Sequence, residues 1–401
     1  RYPLALFLMA ASHTLLNNLE LSENYARQFF YKAPDNIAVR KLLATIKFKK
    51  QEYLEAEELI RPVTEASKED IGALNLLSSA LIKQGRVDEA IDVLAKVVAL
   101  QPESPTAQMQ LGAGLMAAGE QGSGLEHLET AIQLKPDNMQ ANMLLMLNYI
   151  QKKDYDAAIK AANTYREQNP KSAAPHNLLG KVYLAANQEM EAQEAFLNAR
   201  DIEPGNPNAC QNLAALALKD KDYDKARAYY QEVLKYHENN LSALLNLAVI
   251  DALENDEKSM VSNLQQAIKA HPKAVKPRLV LARYYLTRGN PEKASFLVNE
   301  LGETQKNNPQ VLTLIAMTNL AQNEYAEARA TLEKLIALRP NSANAHHMLA
   351  KAHAGLSDRE RTKTELRKTL ELAPNHLPAR IALTRLLLLE RDKVGVKEQL
   401  K

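Results

Sequence analysis

Few residues of this 401-residue chain have the types and spacing that chemistry requires. Cys210 is the only cysteine, so the chain forms neither an internal disulfide nor a cysteine-based zinc cluster. The only histidine cluster is His346, His347 and His353, which would hold a metal only if the three rings met in one place. The phosphate-binding P-loop, HExxH and GxSxG patterns do not occur. We therefore predict a protein that is not an enzyme and binds no cofactor or metal.

The charge of the chain does not indicate a polyanionic partner. It has 50 Lys and Arg against 48 Asp and Glu, a net charge of +2, so any electrostatic preference must be local. We predict no nucleic-acid binding, because Phe48 is the only aromatic ring that clearly stands where bases would stack. The longest early apolar run, Leu4 to Ala11, is too short to span a bilayer, which takes about 20 apolar residues. We expect membrane attachment only through a lipid anchor outside this segment. We also expect that any targeting segment before Arg1 has been removed and that the natural protein continues after Lys401.

The elements that would position functional residues are marked by a recurring proline. Segments such as LKPDN at 134–138 and LRPNS at 338–342 place eight of the 17 prolines on one spacing of 34 residues. Proline lacks a backbone donor and restrains the residue before it, so each segment predicts the end of a helix. The eight lattice prolines are Pro34, Pro102, Pro136, Pro170, Pro204, Pro272, Pro340 and Pro374, and the nodes without proline are Lys68, Glu238 and Lys306.

Columns of large and small residues complete the 34-residue repeat. Position 7 is large and apolar, as Leu43 and Leu77 are, and positions 8 and 20 are mostly small, as Ala44 and Ala56 are. Apolar residues at positions 4, 7, 8 and 11, and again at 17, 20, 24 and 27, follow the period of a helix. Small residues on both stretches let two helix axes cross closely. Each repeat is therefore predicted to be a helical hairpin, and neighbouring hairpins must stack to bury their apolar faces.

Together these features resemble the tetratricopeptide repeat over the whole chain. The resemblance implies an all-α fold: a right-handed α-solenoid, or superhelix, of about twelve 34-residue helix-turn-helix repeats in a single continuous array over residues 1–401. The first-helix tryptophan common in that family is missing, and residues such as Leu6 and Cys210 stand at its position 4, so we expect aliphatic packing to stabilise the array. The predicted repeats are 3–36, 37–70, 71–104, 105–138, 139–172, 173–206, 207–240, 241–274, 275–308, 309–342, 343–376 and a partial repeat 377–401.

Longer segments are similar to a narrower family. The segments ANMLLMLNYIQKKDYDAAIKAA, PHNLLGKVYLAANQEMEAQEAFLNA and KAVKPRLVLARYYLTRGNPEKA resemble, in that order, the repeat-rich lipoproteins of the PEP-CTERM/exosortase protein-sorting system of exopolysaccharide-producing Gram-negative bacteria. This chain has no lipid-attachment cysteine of that family. The resemblance implies a place in the periplasm or at the outer membrane, serving polymer export or protein sorting, and a cytoplasmic protein is the alternative.

The tetratricopeptide resemblance also implies where a partner binds. In that family the first helix of each repeat lines a concave groove, and positions 2, 5, 9, 12 and 13 point into it. Here these positions hold nine Lys and Arg but no Asp or Glu, which predicts an extended partner segment that is acidic or polar and carries apolar anchors. The candidate groove residues are Lys41, Asn75, Met109, Met143, Asn177, Lys181, Asn208, Gln211, Asn212, Asn246, Lys276, Arg283, Asn344, His347, Lys351 and Arg385.

Several interpretations of this groove stay open. It fits a scaffold that binds a protein or peptide, a module that guides an anionic polysaccharide, or the regulatory arm of a larger enzyme. The lack of acids would also arise if Asp and Glu simply crowded onto second helices and turns. Asn177 and Lys181 stand in the reverse of the order found in the carboxylate clamp of chaperone adaptors, with Asn212 and Asn246 following, so we do not predict a clamp.

Glycine is concentrated in the repeat 105–138. Gly112, Gly114, Gly119, Gly122 and Gly124 lie there, and each glycine inside a helix costs up to about 1 kcal/mol relative to alanine. We therefore predict a bend or raised mobility at this repeat.

Overall fold

The computed structural model describes residues 3–399, apart from the side chains of residues 303 and 304. All regular structure in this range is helical, as predicted. The chain divides into two compact units: the N-terminal unit ends at Ala209, and the C-terminal unit begins at Cys210. A single array through both remains a prediction. Within residues 3–399, no helix has the length and apolarity needed to cross a bilayer.

Almost every repeat forms two helices at the predicted places. The first helix occupies positions 1–13 and the second positions 17–30, with departures only after Thr287 and Asp392. The helices are α1 Pro3–Leu15, α2 Leu19–Lys32, α3 Ile37–Lys49, α4 Tyr53–Ala66, α5 Ile71–Lys83, α6 Val87–Leu100, α7 Pro105–Ala117, α8 Gln121–Leu134, α9 Met139–Gln151, α10 Tyr155–Gln168, α11 Ala173–Ala185, α12 Glu189–Ile202, α13 Pro207–Lys219, α14 Tyr223–Tyr236, α15 Leu241–Leu253, α16 Glu257–Ala270, α17 Val275–Thr287, α18 Pro291–Asn299, α19 Glu303–Lys306, α20 Pro309–Ala321, α21 Tyr325–Leu338, α22 Ala343–Gly355, α23 Arg359–Leu372, α24 Leu377–Leu389 and α25 Lys393–Gln399.

Side-chain caps begin most of the first helices. Position 34 precedes the next first helix, and Asn36, Asp70, Ser104 and Asn138 at that position each accept a hydrogen bond from a backbone N–H of the helix that follows. Such a cap satisfies an N–H that has no partner inside the helix and contributes about 1 kcal/mol. The residues that follow the lattice proline therefore both end one hairpin and start the next.

A residue in the left-handed conformation joins the two helices of each hairpin. Position 15 has positive φ in every repeat, and glycine fills it three times, at Gly85, Gly119 and Gly289. Positive φ reverses the chain within three residues, so the second helix folds back on the first. The other nine repeats place a side chain in this conformation, at Asn17, Gln51, Lys153, Asn187, Lys221, Asn255, Asn323, Ser357 and Arg391.

The predicted core columns are largely buried. Position 7 is at most 8% exposed in ten repeats, and the exceptions are Met9, which is 43% exposed, and Ile315, which is half-buried. Small residues at position 8 lie where the two helices cross: a methyl group added at Gly180 would lie 2.4 Å from the ring of Phe196. Cys210 is fully buried, as its place in a core column predicts.

Position 4 is not the apolar column that we predicted. Seven of its twelve residues are polar, and in five repeats the side chain donates a hydrogen bond to the carbonyl of the lattice proline six residues earlier, over 2.7–3.1 Å. Polar atoms that leave water need such partners. The pairs are Arg40–Pro34, Gln108–Pro102, Asn142–Pro136, His346–Pro340 and Arg380–Pro374.

The residue type at position 4 follows the lattice proline beyond these five pairs. All eight lattice prolines are followed six residues later by Arg, Gln, Asn, His or Cys, never by a hydrocarbon side chain. The three nodes without proline are followed by leucine, at Leu74, Leu244 and Leu312. Polar contacts to the carbonyl of the lattice proline therefore replace part of the aliphatic packing that we expected at position 4.

The repeat 275–308 departs from the pattern. Its second helix is split into α18, which ends at Asn299, and the short α19. Gly302 begins α19, where its N–H donates to Oε1 of Gln305 at 3.0 Å, and Leu301 turns inward and is 3% exposed. The node that would hold a lattice proline is Lys306, so the 34-residue spacing continues although the helix does not.

Some of the glycines of the repeat 105–138 allow its two helices to pack closely, rather than only loosening them. A methyl group at Gly112 would lie 2.8 Å from the carbonyl oxygen of Gly124, and one at Gly124 would lie 2.5 Å from Met116. Gly119 fills the left-handed turn, and Gly122 is the helical glycine of this repeat with open space around it. The predicted bend or mobility here remains a prediction.

Candidate functional site

The first helices carry almost no negative charge. Within their bounds they hold thirteen Lys and Arg and a single acid, Asp251. Asp251 is fully buried and accepts hydrogen bonds from Arg227 at 2.5 Å and Asn263 at 2.7 Å. The first-helix surface, meaning the exposed side chains of the first helices, therefore presents bases and no acid of its own.

In the N-terminal unit, several of these bases already have partners. Lys41 Nζ lies 2.7 Å from Asp70 Oδ2. Burial opposes ionisation of Asp70, but hydrogen bonds from Lys41 and from the N–H of Ala73 outweigh it and lower the pKa of the carboxyl. Lys47 is buried between Glu23 and Glu55, at 2.8 Å from each. These cations belong to the packing between repeats, although Lys181 is exposed.

In the C-terminal unit, predicted groove residues meet in one basic pocket. A cavity of about 540 Å³ is lined by α17, by α20 and by Arg339 at the end of α21. Lys276, Arg283 and Arg339 bring three positive charges to it, and no acid lines it. Within residues 3–399, none of the three side chains forms an ion pair. The other lining residues are Leu279, Val280, Tyr284, Thr287, Gln310 and Thr313.

Glu257 is hydrogen-bonded to Tyr284 in the wall of this basic pocket, and its charge is neutralised by Arg288. The hydroxyl of Tyr284 donates to Glu257 at 2.7 Å, and Arg288 forms an ion pair with the same carboxylate. The Arg288 guanidinium also lies over the Tyr284 ring, 5.8 Å from its centroid. Tyr284 is therefore fixed as a wall, and the charge of Glu257 is offset outside the pocket.

The histidines do not converge on a metal. His347 is 6% exposed and packs on His376, with ring centroids 4.7 Å apart. Burial and the nearby charges of Lys351 and His376 lower the pKa of His347 to about 4. His346 instead bonds Glu365 at 2.6 Å. Among the described residues no group of three or more His, Cys, Asp and Glu is placed to hold a metal ion.

A second recess, in the N-terminal unit, is apolar. Met109 and Met143 lie together with Ile82, Leu144 and Gly114 around a cavity of about 290 Å³. No charged side chain lines this recess. It brings together the two predicted methionines, whose unbranched thioethers adapt to different apolar groups.

The predicted asparagines are dispersed rather than assembled into a clamp. Asn177 is 5% exposed and donates to Asn206 Oδ1 at 3.1 Å, which in turn accepts from the N–H of Ala209. Asn246 donates to Ser242 Oγ at 3.3 Å. Asn75 and Asn212 are half-buried, whereas Asn208, Gln211 and Asn344 are exposed.

Val280, Tyr284 and Arg339 are the pocket residues outside the five positions taken to face the groove. Val280 and Tyr284 stand at positions 6 and 10, and Arg339 precedes the lattice Pro340. A signal for Arg339 was available, because only two of the eight lattice prolines, Pro136 and Pro340, follow a Lys or Arg.

Three family models, each described as a tetratricopeptide repeat, match the chain. They cover residues 51–113, 115–182 and 261–318; residues 177–242 and 212–256; and residues 310–342. Each describes a repeat rather than a catalytic domain. No curated protein matches.

Solved structures similar to this chain include the following three. MamA, residues 41 to the end, from Desulfovibrio magneticus RS-1 is 22% identical, with 42% of this chain and 96% of that one covered and a TM-score of 0.36. Yeast Tom70 is 14% identical, with 100% and 99% covered and a TM-score of 0.41. The APC/C heterotetramer Cut9–Hcn1 is 13% identical, with 96% of each chain covered and a TM-score of 0.40.

The matched repeats run from residue 51 to residue 342, and the same 34-residue hairpins continue on both sides of them. The chain belongs to the tetratricopeptide repeat family.

Proposed function

We propose that this protein is a non-catalytic scaffold whose first-helix surface binds an extended, acidic segment of a partner protein. The observation that carries the proposal is the basic pocket of Lys276, Arg283 and Arg339, three cations without ion-pair partners among residues 3–399. Like charges held together repel one another, so a ligand with two or more negative charges would relieve that repulsion. Leu279 and Val280 in the same pocket offer contacts for an apolar side chain of the segment.

A labelled peptide of alternating Glu and Ser, measured by fluorescence polarisation, tests the proposal. Changing Lys276, Arg283 and Lys351 to Glu should weaken binding at least tenfold, or about 1.4 kcal/mol. It should also flatten the dependence of affinity on salt, because fewer charges attract the peptide. The matched control changes Lys225, Lys258 and Lys334, which are exposed bases on second helices of the same unit. Equal losses in both triple variants would refute a specific site and leave only overall charge.

An anionic polysaccharide is the other class of ligand that the same cations could attract. Alginate, a carboxylated polysaccharide, should compete poorly with the peptide, because the peptide also gains from apolar contacts. Tighter binding of alginate than of the peptide, lost in the first triple variant, would favour a polysaccharide-guiding module instead.

We further propose a place outside the cytoplasm of a Gram-negative bacterium, in exopolysaccharide export or protein sorting. This rests on the resemblance of the segments around 141–162, 175–199 and 273–294 to lipoproteins of such systems. Fractionation of cells that produce the natural protein tests it. Recovery in the cytoplasmic fraction would overturn the location and leave the peptide-binding proposal intact.

A further inference from the structure

One row of exposed side chains repeats along the first-helix surface of the C-terminal unit. Position 9 is Arg283 on α17, Met317 on α20, Lys351 on α22 and Arg385 on α24. All four are exposed, Met317 by 37%. Within residues 3–399, none of the three cations has an ion-pair partner. We call these four residues the position-9 row.

The spacing of this row follows from helix packing. The helix α17 packs against α20, and α20 packs against α22; α24 continues the series by packing on α23. Axes of packed helices lie about 8–10 Å apart. An extended chain advances about 3.3 Å per residue, so three residues of a partner cover one step between the packed helices α17, α20 and α22. The same 34-residue repeat leads from α22 to α24, and we take the last step to be of equal length.

The chemistry of the row is not uniform. Lys276 and Arg339 lie in the same pocket as Arg283, so the first step holds three cations. The next step is the apolar Met317, and the last two steps, Lys351 and Arg385, hold one cation each. The four helices of the row contain no Asp or Glu within their bounds. A partner that matched the row would need an apolar side chain between acids rather than a continuous acidic run.

We propose that the position-9 row binds every third residue of an extended partner segment, and that these four residues are, in order, acidic, apolar, acidic and acidic. Numbered from the side chain at Arg283, the segment has acids at positions 1, 7 and 10 and an aliphatic residue at position 4. This inference rests on the proposed function, because it assumes that the ligand is a peptide. The acid at position 1 contributes most, since it meets three cations.

Capped decapeptides of equal composition test the spacing. One carries Glu at 1, 7 and 10 and Leu at 4; a second carries Glu at 1, 4 and 10 and Leu at 7, which is the same pattern with the chain reversed. The control carries Glu at 1, 2 and 3 and Leu at 10, and the remaining positions are Gly and Ser in all three. We expect one of the first two to bind at least tenfold more tightly than the control. Equal affinity of all three would overturn the register while leaving acidic-peptide binding in place; no binding by any of them would overturn both.

A charge exchange tests which side chain meets which step. Arg385→Glu should weaken the better spaced peptide at least tenfold, because this step of the row holds a single cation, and replacing the peptide's Glu at the Arg385 end by Lys should restore most of the loss. The same Lys at the Arg283 end should restore nothing, because it would meet the cations of Lys276, Arg283 and Arg339. A Lys351→Glu variant should in turn be restored only by Lys at the acidic position next to the Arg385 end. Restoration that does not depend on the position of the Lys would overturn the proposal. All three cations are exposed, so circular dichroism is expected to show unchanged helix content in both variants.

Discussion

At the scale of single residues, buried polar side chains depart most from the apolar pattern of the repeat. Gln108 bonds both the Pro102 carbonyl and His127, each at 2.7 Å. His347 has a buried Nδ1 without a partner in the described part of the chain. Such groups make stability sensitive to changes that leave side-chain volume untouched, because a buried polar atom without a partner costs about 1–3 kcal/mol.

Replacing Gln108 by Met, which has a similar shape, tests the link between position 4 and the lattice proline. The variant leaves the Pro102 carbonyl and the His127 ring without this partner, so we expect a loss of about 1–3 kcal/mol in urea unfolding. Leu74→Met is the control, since Leu74 follows the proline-free node Lys68 and should lose less than about 1.5 kcal/mol. Equal losses would show that the hydrogen bonds to Gln108 contribute nothing.

His347 predicts a dependence of stability on pH. Its folded pKa is lowered to about 4 by burial and by the charges of Lys351 and His376, against 6.5 for the unfolded chain. Between these values the unfolded state binds the proton and the folded state does not, so stability falls as pH decreases from 6.5 towards 4. Between pH 7 and pH 5 we expect the wild type to lose about 1–2 kcal/mol more than His347→Phe in urea unfolding. Identical pH profiles would rule out this role for His347.

At the scale of elements, the hairpin turn is the most regular feature. Position 15 adopts positive φ whichever residue fills it, including Lys153 with φ of 58° and Arg391 with φ of 57°. A side chain in that conformation costs about 1–2 kcal/mol, which glycine avoids. The regular helix lengths on both sides hold the backbone there.

Lys153→Gly should therefore stabilise the hairpin of α9 and α10, by up to about 1 kcal/mol once the greater freedom of glycine in the unfolded chain is counted. The neighbouring Lys152 caps α9 with φ of −77°, so Lys152→Gly gains nothing and should destabilise. Thermal unfolding of both variants gives the comparison. A lower melting temperature for Lys153→Gly than for the wild type would contradict the argument.

Much of the fold, but less of the site, could be predicted from the sequence. The 34-residue spacing places the ends of the helices because the caps, the turn and the core columns all repeat with it. The break after Asn299 escaped prediction because the inward turn of Leu301 depends on tertiary packing, while the 34-residue spacing itself continues through the break. Lys276 and Arg283 were predicted as groove residues, but their meeting with Arg339 depends on how α17, α20 and α21 pack. Lys41 was also predicted, yet its ion pair joins α3 to Asp70, the cap residue of α5, which lies 29 residues later, so no local signal marked it.

At the scale of the whole molecule, stability is shared between neighbouring hairpins, because each repeat packs mainly on the next one. Gly180→Ala would drive a methyl group into the ring of Phe196, and we expect a cost of about 1–3 kcal/mol. Hydrogen exchange should become faster in residues 139–206 and stay unchanged in residues 309–376. Gly122→Ala, which meets open space, is the control and should not speed exchange. Uniformly faster exchange along the chain would show that the repeats unfold as one cooperative unit.

The uneven placement of acids has a practical consequence for handling the protein. The chain as a whole is close to neutral, at +2, but its first helices hold thirteen bases to one acid, which leaves the remaining residues with more acids than bases. A molecule with such separated charge adsorbs through whichever surface faces the opposite sign. At one neutral pH and low salt, it should be retained on both sulfonate and quaternary-ammonium resins, and an acidic partner should elute it from the sulfonate resin.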